Sequence, residues 1–130
     1  WLKAKGAKRA LLLAVSAPFH SSLMKPAAER LREKLVAVNI AAPRIPVVNN
    51  IDVAVQTDAA AIRDALYRQS FGAVRWVETV MALRARGVGA LIECGPGKVL
   101  AGMVKRIDAQ AASAAIYDPA TLAEAKALAA

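Results

Sequence analysis

Three observations predict an α/β fold for this chain. Val88–Ile92 is a short, nearly unbroken apolar run, the pattern of a strand buried on both faces of a parallel sheet. Behind His20, apolar residues recur at three- and four-residue spacing, the period of an amphipathic helix. Proline and glycine then cut the remaining chain into alternating segments of the two kinds.

Taken in order, Arg9–Ser16 is a Leu/Val run bounded by Gly6 and Pro18, which predicts a strand. Leu23, Ala27, Leu31, Leu35 and Val38 mark one face of a helix, with Glu29, Arg30, Arg32, Glu33 and Lys34 opposite. Pro26 is tolerated only in a first turn, so that helix begins close behind His20. Pro43 and Pro46 break the chain, and Val47-Val48 predicts a short strand ending in the turn residues Asn49-Asn50. Thr57 or Asp58 supplies an N-cap for a helix through Ile62, Leu66 and Gln69. After Gly72, a second helix runs from about Arg75 to Arg86, and Gly87 is its stop. Glu93–Gly97 turns the chain out of the Val88–Ile92 strand. Val99, Leu100, Met103, Val104 and Ile107 then mark a helix with Lys105 and Arg106 at its end, where cations suit the dipole. Ala114–Tyr117 predicts a last strand and Pro119–Leu128 a last helix.

At 130 residues the chain is one domain's worth, able to bury roughly two-thirds of its unfolded surface. It is 57% hydrophobic, but 31 of those residues are alanine, which leaves a thin set of Leu, Ile, Val and Met for the core. No apolar run approaches the ~20 residues of a membrane span. One cysteine, Cys94, excludes an internal disulfide framework and a cysteine-based zinc cluster. With one histidine, His20, a multi-histidine metal site is excluded too, and no metal is expected. Of the net charge of +8, residues 1–44 carry +7. A basic end suits an anionic partner such as nucleic acid, a phosphorylated cofactor or an acidic protein, although a solvated surface accounts for it equally well. Lys3–Arg9 followed by Ala10–Val15 imitates a secretory signal, but the apolar stretch is shorter than the ~7–15 residues expected. An opening at Trp1 suggests a piece of a longer chain.

Three places carry candidate chemistry. Gly95-Pro96-Gly97-Lys98, between strand and helix, looks like a phosphate cradle. It lacks P-loop spacing and the following Ser/Thr, and Leu100 stands where a dinucleotide fingerprint needs a small residue. A tight turn packing strand against helix is the expectation. Cys94 has no cation beside it in sequence and is expected to be a buried core thiol. His20 is the sharpest feature: it ends a predicted strand just before a helix, where catalytic groups of α/β folds gather. The start of that helix would disfavour a charged ring and keep a base available. Ser21 and Ser22 are the local hydroxyls, and neither lies in a Gly-x-Ser-x-Gly elbow.

The stretches Gly6–Ser16, Ala17-Pro18-Phe19-His20, Leu23–Leu31, Ile45–Val53, Ile62–Gln69 and Glu93–Leu100 together resemble the bacterial malonyl-CoA:acyl carrier protein transacylases, collinearly over nearly the whole chain. The resemblance is to the C-terminal part of that family, less than half of its length. It implies that residues 1–17 end a small ferredoxin-like subdomain and that 18–130 form the C-terminal part of a large α/β-hydrolase-like subdomain. It also implies ping-pong transfer of malonyl from coenzyme A, through a seryl acyl-enzyme, to the phosphopantetheine thiol of acyl carrier protein in cytoplasmic fatty-acid synthesis. His20 matches the family's general base. Gln69 matches the position whose backbone carbonyl orients that histidine, so its side chain is expected to matter less than its carbonyl. Phe19 matches a position tied to extender choice, and Val99 one that lines the acyl pocket.

The implied partners are malonyl-CoA, acyl carrier protein and the N-terminal part of the enzyme, with no nucleic acid, no membrane and no cofactor beyond the coenzyme A thioester. The sequence contains no Gly-His-Ser-x-Gly, and the family's malonyl-binding arginine and N-terminal glutamine are missing too. Isolated, the chain is expected to be inactive and to expose raw apolar faces. The alternatives are an acyltransferase domain of a polyketide synthase and a non-catalytic basic binding module.

Overall fold

A computed structural model describes residues 1–12 and 14–129. After short 3₁₀ turns at Lys3–Lys5 and Ser22–Met24, the chain forms α1 (Lys25–Val36), α2 (Ala59–Gln69), α3 (Trp76–Ala85), β1 (Ala90–Cys94), α4 (Val99–Ile107), β2 (Ala112–Ile116) and α5 (Pro119–Ala129). β1 and β2 pair in parallel, Ala90 beside Ala112 through Cys94 beside Ile116, with α4 as the crossover. This is the α/β arrangement expected, built from a βαβ unit.

Local signals place most of the helices. Pro26 sits in the first turn of α1. The Asp58 carboxylate accepts the Ala61 N–H at 2.9 Å and caps α2. α3 stops at Gly87, which takes φ +85° and lets Val88 N–H reach the Leu83 carbonyl at 3.2 Å while its own N–H reaches Arg84 at 2.9 Å. That stop explains why β1 begins at Ala90 rather than Val88. The Val88 N–H belongs to the helix end, and its carbonyl accepts Arg84 Nη1 at 2.6 Å, so neither group is free for a strand ladder.

The core lies in the second half. Val80, Val104 and Ala111 are buried together, with Trp76, Leu91 and Ile107 packed on them. α1 and α2 pack on each other and bury only alanines, Ala28 and Ala65.

Several expectations are corrected. The described residues of Arg9–Ser16 form no strand; their backbone groups meet no neighbouring strand, and Leu11 and Leu12 are exposed. Leu13 lies outside the described residues. Val47-Val48 contributes a single bridge, Val48 to Val55, because the Asn49–Ala54 turn reverses the chain at once. Of the apolar face expected for α1, Leu23 and Val38 fall outside the helix, in the turn before it and just past its end, and both are exposed, as is Leu31 within it, since only α2 and the Ser22–Met24 turn pack against α1. β1 is half-buried rather than enclosed on both faces, having one strand partner among the described residues. Cys94 is exposed, not a core thiol: it is the last residue of β1, where the chain leaves the sheet.

Candidate functional site

His20 sits in the loop before α1 with φ +57°, a left-handed conformation that costs a non-glycine residue about 1–3 kcal/mol. Ser21 Oγ donates to the Pro18 carbonyl at 2.7 Å and closes the loop just ahead of the ring. The ring turns towards α2, and His20 Nδ1 lies 3.0 Å from the backbone carbonyl oxygen of Gln69. A carbonyl only accepts, so Nδ1 carries the hydrogen and Nε2 presents its lone pair to the exposed side.

The availability of that carbonyl follows from the fold. Gln69 is the last residue of α2, and the last carbonyls of a helix lack an intrahelical donor. A 3₁₀ turn separates His20 from the start of α1, and the ring bonds instead to the C-terminal end of α2.

The Gln69 side chain is engaged as well. Its Oε1 accepts the Asn50 N–H at 2.9 Å, tying the end of α2 to the Asn49–Ala54 turn. Within that turn Asn49 Oδ1 accepts the Asp52 N–H at 2.7 Å, and Asp52 takes both terminal nitrogens of Arg68, each at 2.7 Å. This bidentate bond holds the Asp52 carboxyl below the usual carboxylate range. Asn50 enters the sequence reading only as a turn former. Its contact with Gln69 spans 19 residues and leaves no local signal.

Of the other predicted positions, Phe19 precedes the histidine and is exposed. Val99 is exposed in the first turn of α4, and among the described residues α4 packs on α3, β1 and β2 but on neither α1 nor α2. The chain therefore joins His20 with Gln69, keeps Phe19 adjacent, and leaves Val99 in the other half. The Gly95–Lys98 turn holds no vacant anion cradle: Glu93 Oε2 accepts the Ala101 N–H at 2.9 Å, so a carboxylate already occupies the start of α4.

A βαβ unit joined to a helix pair that aims a histidine at a helix-terminal carbonyl defines part of an α/β acyltransferase fold. Over 95% of its residues the chain is homologous to malonyl CoA-acyl carrier protein transacylases, exemplified by that of Salmonella typhimurium, 53% identical over 123 residues. Among solved structures, an acyl-carrier-protein S-malonyltransferase from Burkholderia pseudomallei superposes with a TM-score of 0.87 at 62% identity, covering 98% of this chain and 41% of the other. A malonyl-transacylase in complex with a type II polyketide acyl-carrier protein gives 0.88 at 52% identity, covering 95% and 40%. The chain spans about 40% of the length of the curated relatives it matches. No family model matches the chain.

Proposed function

We propose that these residues supply the general-base half of a malonyl transfer from malonyl-CoA to the phosphopantetheine thiol of acyl carrier protein, with the coenzyme A thioester as substrate. The observation that carries this reading is the 3.0 Å contact between His20 Nδ1 and the Gln69 carbonyl, which leaves Nε2 as a base. These 130 residues hold no Gly-His-Ser-x-Gly, and the proposed nucleophile is a serine of such a segment elsewhere in the enzyme. Nε2 takes the serine proton as the hydroxyl attacks the thioester carbonyl, and the resulting imidazolium returns it to the departing coenzyme A thiolate. In the second half-reaction the same nitrogen takes the proton of the carrier's thiol, which attacks the acyl-enzyme, and returns it to the serine.

Phe19 and Val99, both apolar and exposed, are the residues proposed to face the acyl group. Residues 1–17 are assigned to the small subdomain and 18–130 to the large one. Exposed Leu11, Leu12, Val15 and Leu23 support a fold completed by further polypeptide. The excess positive charge in residues 1–44 supports attraction of an acidic carrier and of coenzyme A phosphates. No helix among the described residues is long and apolar enough to cross a membrane, and the proposed site of action is the cytoplasm. The solved complex with a type II polyketide carrier supports, as a second reading, a carrier of that pathway.

The test uses the intact enzyme. Radiolabelled malonyl-CoA leaves label on the serine, and His20→Ala slows transfer by ~10²-fold or more. Near-parental turnover in His20→Ala would remove the proposal.

A further inference from the structure

The bond from His20 to Gln69 is only as well aimed as Gln69 is held, and the hold can be followed into the core. Gln69 Oε1 accepts the Asn50 N–H at 2.9 Å. Asn50 is gripped in turn by α3: its carbonyl accepts the Arg75 N–H at 3.1 Å, and its Oδ1 accepts the Thr79 hydroxyl at 3.1 Å. Thr79 Oγ1 also lies 2.9 Å from the Arg75 carbonyl. Among the described residues, Thr79 is the buried polar side chain, 3% exposed, and Val80 beside it is fully enclosed in the core.

Two further observations make this more than incidental bonding. Among the described residues α1 and α2 make no packing contact with α3, α4 or the sheet, so the Asn50 turn is where the two halves meet. The turn is also pressed onto the exit of α2: a Cβ at Gly72 would lie 2.2 Å from Ile51 Cδ1 and 3.0 Å from the Arg68 carbonyl. The end of α2 is thereby fixed by a side chain on one flank and close packing on the other.

We infer that Asn50 and Thr79 are positioning residues for the base, forming with the Gln69 carboxamide a brace that carries the rigidity of the core to the carbonyl orienting His20. The inference rests on the reading of His20 as the base. A helix terminus without such a tie frays, and a wandering carbonyl no longer selects the Nδ1–H tautomer. Hydrogen-bonded chains of this kind act as a unit, so loss of the buried hydroxyl is felt at the ring although it touches no reacting atom.

The experiment uses the intact enzyme and the variant Thr79→Val, which keeps the shape and removes the hydroxyl. The expected result is a KM for malonyl-CoA within twofold of the parent, a kcat lowered about 5- to 10-fold, and a ¹⁵N spectrum of the His20 ring that changes from one tautomer to a mixture. The ring signal is assigned by its loss in His20→Gln. Thr79→Ser restores both kcat and the single tautomer. Should Thr79→Val not fold, Gln69→Met interrupts the same brace at its half-buried outer end and carries the same expectation. Parental kcat with a single tautomer in whichever of these variants folds overturns the brace. His20→Ala separates the two ideas: if it is inactive while the brace variants are parental, only the brace is wrong, and if it too is parental, the base assignment falls.

Discussion

From Trp76 onward the chain is organised by apolar packing; before it, α1 and α2 are organised by charge and hydrogen bonds. In the later half Val80, Val104 and Ala111 form one buried cluster under Trp76, Leu91 and Ile107. In the earlier half Arg63 does comparable work with polar groups, its Nε bonding the Leu35 carbonyl at 2.9 Å and its Nη2 the Val38 carbonyl at 2.7 Å, which caps the end of α1. Tyr67 donates to Glu29 across the same helix pair, and Arg68 joins α2 to the Asn49–Ala54 turn. The comparison shows a division of labour: the apolar half is a platform, and the polar half is a directional frame that fixes angles. A histidine held at φ +57° needs the second kind of support, because packing alone is non-directional.

The contrast can be broken most severely in the platform. Val104→Ala removes two buried methyl groups and leaves a cavity, an expected loss of about 2 kcal/mol. Chemical denaturation of the intact protein measures it, and hydrogen exchange should report the loss through β1, α4 and β2. An unchanged midpoint would show that the cluster is not the platform. Arg63→Met comes next, at about 1 kcal/mol for charge-assisted bonds at a half-exposed site. Here the α1 amides should exchange faster while those of α4 keep their protection. Uniform acceleration in both halves would erase the distinction drawn above.

The mildest probe is acid. Arg68 holds Asp52, and Arg84 holds Asp108, below the usual carboxylate range. A depressed carboxyl contributes stability that is present above its unfolded value, about 3.9, and is lost as pH falls through the folded value. Titration below about pH 4 should therefore weaken both ties, and loosen the Asn49–Ala54 turn at the end of α2 first, since around Asp108 the α3–α5 half keeps its uncharged core. Exchange measured from pH 6 to 3 tests the order, and the reverse order would contradict the assignment of forces.

Where a structural signal is local, the chain reads plainly. Asp58 announces α2, Gly87 ends α3, and the apolar spacing from Val99 to Ile107 marks α4. Boundaries slip where a distant group competes for a backbone atom, as Arg84 does at Val88. The strand expected at Arg9–Ser16 fails for a related reason: an apolar alternation states a capacity to pair, and pairing needs a partner. In the site, His20 stands out from its place before a helix, and Gln69 enters through resemblance to a family. Asn50 and Thr79 were out of reach, because a turn asparagine and a helical threonine look the same whether or not they meet.

What the sequence determined by itself is the order and kind of the elements from α1 to α5, the exclusion of cysteine-cluster and multi-histidine metal chemistry, and the singular position of one imidazole. These depend on interactions within a turn or two of helix, or on composition. What only the tertiary structure decided is which backbone carbonyl orients that imidazole and what holds that carbonyl in place. Those depend on which helix end closes across the 49 residues separating His20 from Gln69, and chain closure over such a distance is selected by the whole packing.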